Sequence, residues 1–147
     1  MVKRQKDQMK PILITMFVAM TTLVHSCSKS IDLNEGTAEL RLKQCATGIL
    51  NGDDLKLCFD KVVEDSRCPA NAMCIWQGVA TVKLNFTKNG ETHSFNLSSL
   101  TMPPMYTKDT IISGYKIEFL NLLPYPGTFS PPASDDQVKL EIKISKN

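Results

Sequence analysis

The dipeptide Asn89-Gly90, inside ATVKLNFTKNGETHSFNL (residues 80–97), constrains the fold of this chain more than any other feature. A two-residue type I′ hairpin loop needs positive φ at both central residues, and Asn-Gly accepts this at little cost. The turn sets a register in which Lys88 faces Glu91, Phe86 faces His93, Leu84 faces Phe95 and Val82 faces Leu97. Apolar side chains then meet apolar ones, and an opposite-charge pair flanks the turn. The first arm carries its alternation back to Cys74. Cys74, Trp76, Ala80, Val82, Leu84 and Phe86 are apolar or small, whereas Gln77, Thr81, Lys83, Asn85 and Thr87 are mostly polar. A period of two sustained from 74 to 87 predicts a strand beginning at Cys74 with one buried face.

The same period recurs elsewhere. Ala38, Leu40 and Leu42 alternate with Glu39, Arg41 and Lys43. Leu55, Leu57 and Phe59 form another face, as do Tyr115, Ile117 and Phe119, and Val138, Leu140, Ile142 and Ile144. No stretch beyond residue 36 holds a long 3.6-residue period. Short alternating strands separated by Gly, Pro and Asn predict an all-β domain over 37–147, an antiparallel β-sandwich or small barrel. Two connections, 98–110 and 124–136, are longer than a hairpin needs and hold six of the eight prolines. Proline narrows the conformations of a loop and lowers the entropy lost on ordering it. These loops carry Met102, Met105, Tyr106, Tyr125 and Phe129, which are expected to fold back over the sandwich ends; the alternative is an apolar contact surface.

The N-terminus indicates an address. MVKRQKDQMK holds four basic residues against one acid, and PILITMFVAMTTLV follows without a charge. A spanning helix needs roughly 20 apolar residues, so this shorter run reads as the apolar core of a signal peptide. Its end, LVHSC, resembles the lipobox of bacterial lipoproteins, with His25 where a small or aliphatic residue is usual. That resemblance implies removal of residues 1–26 and lipidation of Cys27, with 27–36 as a polar tether. It implies a bacterial envelope protein held at the outer membrane, its first partner being the membrane itself, through several acyl chains. Removal of 26 residues leaves 121, with 13 basic and 14 acidic side chains and a net charge of −1. No basic run survives, so the electrostatic footprint of a nucleic-acid partner is missing.

Five cysteines become four once Cys27 is assigned to lipid, an even number suited to an oxidising compartment. Three pairings are possible. Cys45–Cys58 with Cys68–Cys74 is preferred because neighbours in sequence close the smallest loops, and each pair brackets turn-forming residues. On the loop-entropy model the first is worth about 3 kcal/mol and the second about 2. A thiol oxidoreductase favours Cys-x-x-Cys at a helix N-terminus, whereas Cys68 and Cys74 are spaced Cys-x₅-Cys ahead of a strand. Zinc fingers favour closer pairs with matching second pairs or histidines, which the chain lacks. A structural staple is expected, with no metal and no cofactor.

The stretch DSRCPANAMCIWQGVATVKL resembles a motif of uncharacterised bacterial lipoproteins and exported proteins, Asp-Ser-Arg-Cys-Pro-x₄-Cys-(Ile/Val)-Trp-x-Gly. Asp65, Ser66, Arg67, Cys68, Pro69, Cys74, Trp76 and Gly78 fit it, and GYKIEFLNLLPYP resembles the same group. The resemblance extends over roughly 37–147 and implies an exported β-domain without implying a reaction. Structurally, Trp76 is expected to pack over the disulfide, Asp65 to pair with Arg67, and Gly78 to leave room for the indole. The functional reading makes the stapled loop a recognition tip, with Arg67, Asn71 and Met73, joined by Tyr106, Tyr125 and Phe129, as candidate contact residues.

Chemistry is sparse. His93 is the only histidine left after residue 26, and its place beside the hairpin turn is that of a half-buried rim residue. Gly-x-Ser-x-Gly, His-Glu-x-x-His and phosphate-cradling glycine loops are absent, so no catalytic residue is named. The expected function is a non-enzymatic binding or structural role in the envelope, toward an unidentified protein or ligand. A protease-inhibitor-like module built on the Cys68–Cys74 loop and a thiol-redox lipoprotein are the alternatives.

Overall fold

A computed structural model describes residues 31–33, 36–128 and 134–147. Among these, strands dominate and no α-helix occurs. The order is β1 (Ile31–Asp32), β2 (Gly36–Arg41), β3 (Cys45–Leu50), β4 (Asp53–Asp65), β5 (Ala80–Lys88), β6 (Glu91–Ser98), β7 (Asp109–Ile112), β8 (Tyr115–Leu123) and β9 (Lys139–Lys146). A short 3₁₀ turn, Asp135–Gln137, precedes β9. One sheet has the order β1-β3-β4-β5-β6 and the other β2-β9-β8-β7, and every pairing is antiparallel except β1 with β3. The all-β sandwich expected from the alternation is the fold.

The alternation decides which face each strand buries. Leu55, Leu57 and Phe59 of β4 and Val82, Leu84 and Phe86 of β5 meet Ile117 and Phe119 of β8 and Leu140, Ile142 and Ile144 of β9 in one core. The β5–β6 register is Lys88 with Glu91, Phe86 with His93, Leu84 with Phe95 and Val82 with Leu97. Asn89 and Gly90 have φ of 48° and 90°, as a type I′ turn requires. Asn51-Gly52 and Ser113-Gly114 repeat these signs, at 53° and 85° and at 51° and 83°. The three turns share one end of the sandwich, where the Tyr115 hydroxyl reaches Leu50 O at 2.9 Å and Asp53 Oδ2 at 2.8 Å across the two sheets. At the opposite end lie the connections 66–79, 99–108 and 124–138.

The expected boundaries shift in two places. The domain starts before residue 37, because β1 pairs in parallel with β3 and Leu33 is only 1 % exposed. A side chain at Gly48 would collide with the Leu33 backbone, so glycine is what lets that segment dock. Residues 31–33, predicted as part of a tether over 27–36, therefore belong to the folded domain. The strand predicted from Cys74 begins instead at Ala80. Gly78 takes φ +71°, and a Cβ there would strike the Ser66 carbonyl, so the extended run breaks at that point. The glycine accommodates the Ser66–Arg67 backbone rather than the indole. Trp76 remains 53 % exposed and lies outside the core.

Candidate functional site

Both disulfides form, Cys45–Cys58 and Cys68–Cys74, with Cα separations of 4.0 and 5.9 Å. Cys45 and Cys58 are register partners on β3 and β4 and point away from the core face that holds Leu57. That bond staples a hairpin already fixed by its turn. The other closes a loop at the opposite end. There the Ser66 amide bonds Val79 O at 2.8 Å and the Cys68 amide bonds Gln77 O at 2.9 Å, so the two arms of the loop hold one another. The tip folds into a turn through Ala72 N–H to Pro69 O, 3.0 Å.

Under this loop sits Arg67, whose side chain is 7 % exposed. Its Nε and Nη2 donate to the two oxygens of Asp65, both at 2.8 Å, in a bidentate pair. Nη1 donates to Leu122 O at 2.7 Å and Nη2 also to Pro124 O at 3.3 Å. The guanidinium lies 4.7 Å from the centre of the Tyr125 ring. The Asp65–Arg67 pair expected from the motif is present, but Arg67 itself is a buried tie between the sheets rather than an exposed contact residue. Its donors are spent on the domain's own carbonyls and carboxylate.

Two irregularities bring these groups together. Strand β4 shifts register between Phe59 and Lys61 and again between Val62 and Glu64. Each bulge reverses which residues face inward. Val62 thus pairs with Val82 and Asp65 with Ala80, both buried residues of β5, so these two join the inward side. Strand β8 shifts between Phe119 and Asn121, which moves the buried position from odd to even numbers and turns Leu122 inward.

Between the shifted ends opens a cleft of about 530 Å³, within the usual range for small-molecule sites. Val62, Asp65 and Leu122 line its strand side, Pro69 and Asn71 come from the stapled loop, and Pro124, Tyr125, Pro126 and Gly127 from the proline-rich one. The loops are joined by Ala70 N–H to Pro126 O, 2.9 Å. Gly127, at φ +79°, packs so closely that a Cβ would lie 2.7 Å from Asn71 Oδ1 and 2.9 Å from Pro69 Cβ. Tyr125 also borders a second hollow of about 350 Å³ with Thr128 and Gln137. The lining is mostly apolar, with the Asp65 carboxylate and the Asn71 amide as the polar groups that would orient a ligand.

Of the candidate contact residues, Asn71 and Tyr125 line this cleft and Arg67 braces it from below. Met73 projects fully into solvent. Tyr106 lies apart, in a turn closed by the Met102–Tyr106 bridge, with its hydroxyl 3.4 Å from Glu64 Oε2. Desolvation, and then the Glu64 charge, hold that phenol above its ordinary pKa. Met102 and Met105 stay exposed, so this loop does not cap the sandwich as expected. Cys27 and Phe129 lie outside the described residues. Val62, Leu122 and Pro124 were not foreseen as site residues; only the proline in LLPYP marked the place. His93 stands at the rim with 41 % of its side chain exposed, 3.4 Å from Glu91 Oε1. No group of three or more His, Cys, Asp or Glu arranged to hold a metal occurs among the described residues.

These features define a disulfide-stapled antiparallel β-sandwich with a cleft at its loop end. No protein-family model, curated protein or solved structure matches the chain.

Proposed function

We propose that the chain is a lipid-anchored domain of the bacterial envelope with a non-enzymatic role, binding its ligand or partner in the cleft between the stapled loop and the proline-rich loop. One observation carries this reading. The cleft's walls are fixed by a disulfide, by the Arg67 ties and by the Gly127 contact, so binding there costs little ordering. Two disulfides suit export to an oxidising compartment, and the lipobox-like LVHSC supplies an attachment at Cys27. Screening a library of small aromatic and peptide-like compounds by amide NMR tests the site. Shifts concentrated on Asn71, Tyr125 and Gly127 are expected, and shifts scattered over the surface would overturn it. Any turnover abolished by His93→Ala would overturn the non-enzymatic part.

The stapled loop is a poor substrate mimic. A protease cleft takes an extended segment, whereas Pro69–Ala72 is a closed turn. A thiol-redox role would use Cys68–Cys74, yet no α-helix occurs among the described residues whose N-terminus could lower a thiol pKa there.

A further inference from the structure

The stapled loop exposes three large apolar side chains within four residues: Met73 at 103 %, Ile75 at 111 % and Trp76 at 53 % of full exposure. This exposure is built in. The disulfide, the Cys68–Gln77 and Ser66–Val79 backbone bonds and the Ala70–Pro126 bond hold the loop in place, so the side chains cannot fold back. Residues 68–79 contain no charge, and neither do residues 98–107 of the neighbouring loop, which exposes Met102 and Met105. The two loops start side by side, since the Ser99 amide bonds Ala80 O at 2.8 Å. Soluble domains seldom keep such uncharged apolar loops uncovered.

The direction of the N-terminal chain says what covers it. Strand β1 runs parallel to β3, which leads from Cys45 toward the turn end, so Ile31 is the end of β1 nearer the loop end. Ile31 is level with Ala46, Leu57 and Phe86, six residues or roughly 20 Å short of Ala80. Ile31 is the fourth residue after Cys27, a span of at most roughly 14 Å. An acyl chain on Cys27 would therefore hold the bilayer close to the domain on the side of its loop end.

We propose that the uncharged loops 68–79 and 98–107, led by Met73, Ile75 and Trp76, rest in the lipid surface. Trp favours the headgroup level, and Met and Ile enter the acyl boundary without a charge to desolvate. The inference rests on lipidation of Cys27.

The test uses the lipidated full protein, expressed in a bacterial envelope and reconstituted into phosphatidylethanolamine–phosphatidylglycerol vesicles. Trp76 is the chain's single tryptophan and so reports alone. Nitroxide groups high on the lipid acyl chains are expected to remove most of its emission while aqueous iodide removes little. Met73→Asp with Ile75→Asp, at positions that make no core contact, is expected to reverse that order with the acyl mass intact. Acylated protein whose Trp76 is quenched by iodide and not by nitroxide lipid overturns the proposal and leaves the anchor standing. Trp76 shielded from iodide already in detergent points to a second copy or a protein over the tip, and also overturns it. Absence of the acyl mass removes both the anchor and the proposal built on it.

Discussion

Replacement of Arg67 by alanine separates a recognition residue from a structural one. The guanidinium is 7 % exposed, and its removal leaves the buried Leu122 carbonyl without its 2.7 Å donor. An unsatisfied buried acceptor costs about 1–3 kcal/mol. Loss of the contact with the Tyr125 ring adds about 0.5–1 kcal/mol, and loss of the packed stem about 1. The Asp65 carboxylate is 26 % exposed, so water recovers much of its solvation and it adds little. The sum is about 2.5–5 kcal/mol, which for a domain of this size lowers Tm by roughly 10–25 °C. Arg67→Lys should recover less than half, because an ammonium cannot make the bidentate pair. Urea unfolding measures the loss for Arg67→Ala directly, and Asp65→Asn alone is expected to cost less than about 1 kcal/mol. A loss below about 1 kcal/mol for Arg67→Ala would refute the buried-tie assignment and return Arg67 to the surface as a contact residue.

Asp53 tests the cross-sheet tie at the turn end. Hydrogen bonds from the Tyr115 hydroxyl and then from Lys88 hold its carboxyl below the ordinary aspartate pKa, so its contribution is present above about pH 3.9 and is lost as pH falls through the lower folded value. Asp53→Asn should flatten that part of the acid-unfolding profile, and an unchanged profile would count against the tie. Gly78→Ala should cost about 3 kcal/mol by thermal unfolding, from left-handed backbone strain plus the collision with the Ser66 carbonyl. Gly90→Ala, with positive φ but open space around it, should cost only about 1–2 kcal/mol; equal losses would show that space is not the reason for glycine at 78. Removing Cys45–Cys58 should lower stability by about 3 kcal/mol and removing Cys68–Cys74 by about 2, with cleft binding lost only in the second case.

The sandwich was legible because its signals are local and agree. Alternation marks each core face, and Asn89-Gly90 fixes a register without any long-range information. Ser113-Gly114 performs the same turn, yet Ser is a weaker sign of positive φ than Asn, and it passed unnoticed. Leu33 shows another limit. Ile31 and Leu33 alternate for only three residues among polar neighbours, too short a run to set a period, and only the parallel pairing of β1 with β3 shows that Leu33 belongs to the core. At Trp76 the period itself misled. Cys74, Trp76 and Gln77 keep the phase of the strand that follows, but Gly78 is left-handed, and beyond that break the phase no longer says which side is buried.

The cleft was hidden for a related reason. Its strand side depends on the paired bulges of β4 and the bulge of β8, and a bulge in a run such as DKVVED needs neither glycine nor proline to mark it. Without those shifts, the odd phase of Leu55, Leu57 and Phe59 would continue to Val63 and leave Val62 on the outer face. Val63 is instead the exposed one, and Val62 reaches the cleft. The same reversals explain how the motif's arginine could look like a surface group. Once the second bulge returns Asp65 to the inner side, Arg67 two residues later follows it, and both sheets close over a charge that sequence alone places in a solvent loop. The chemistry of DSRCP was thus readable as a pair, while its burial required knowing where the two strands slip.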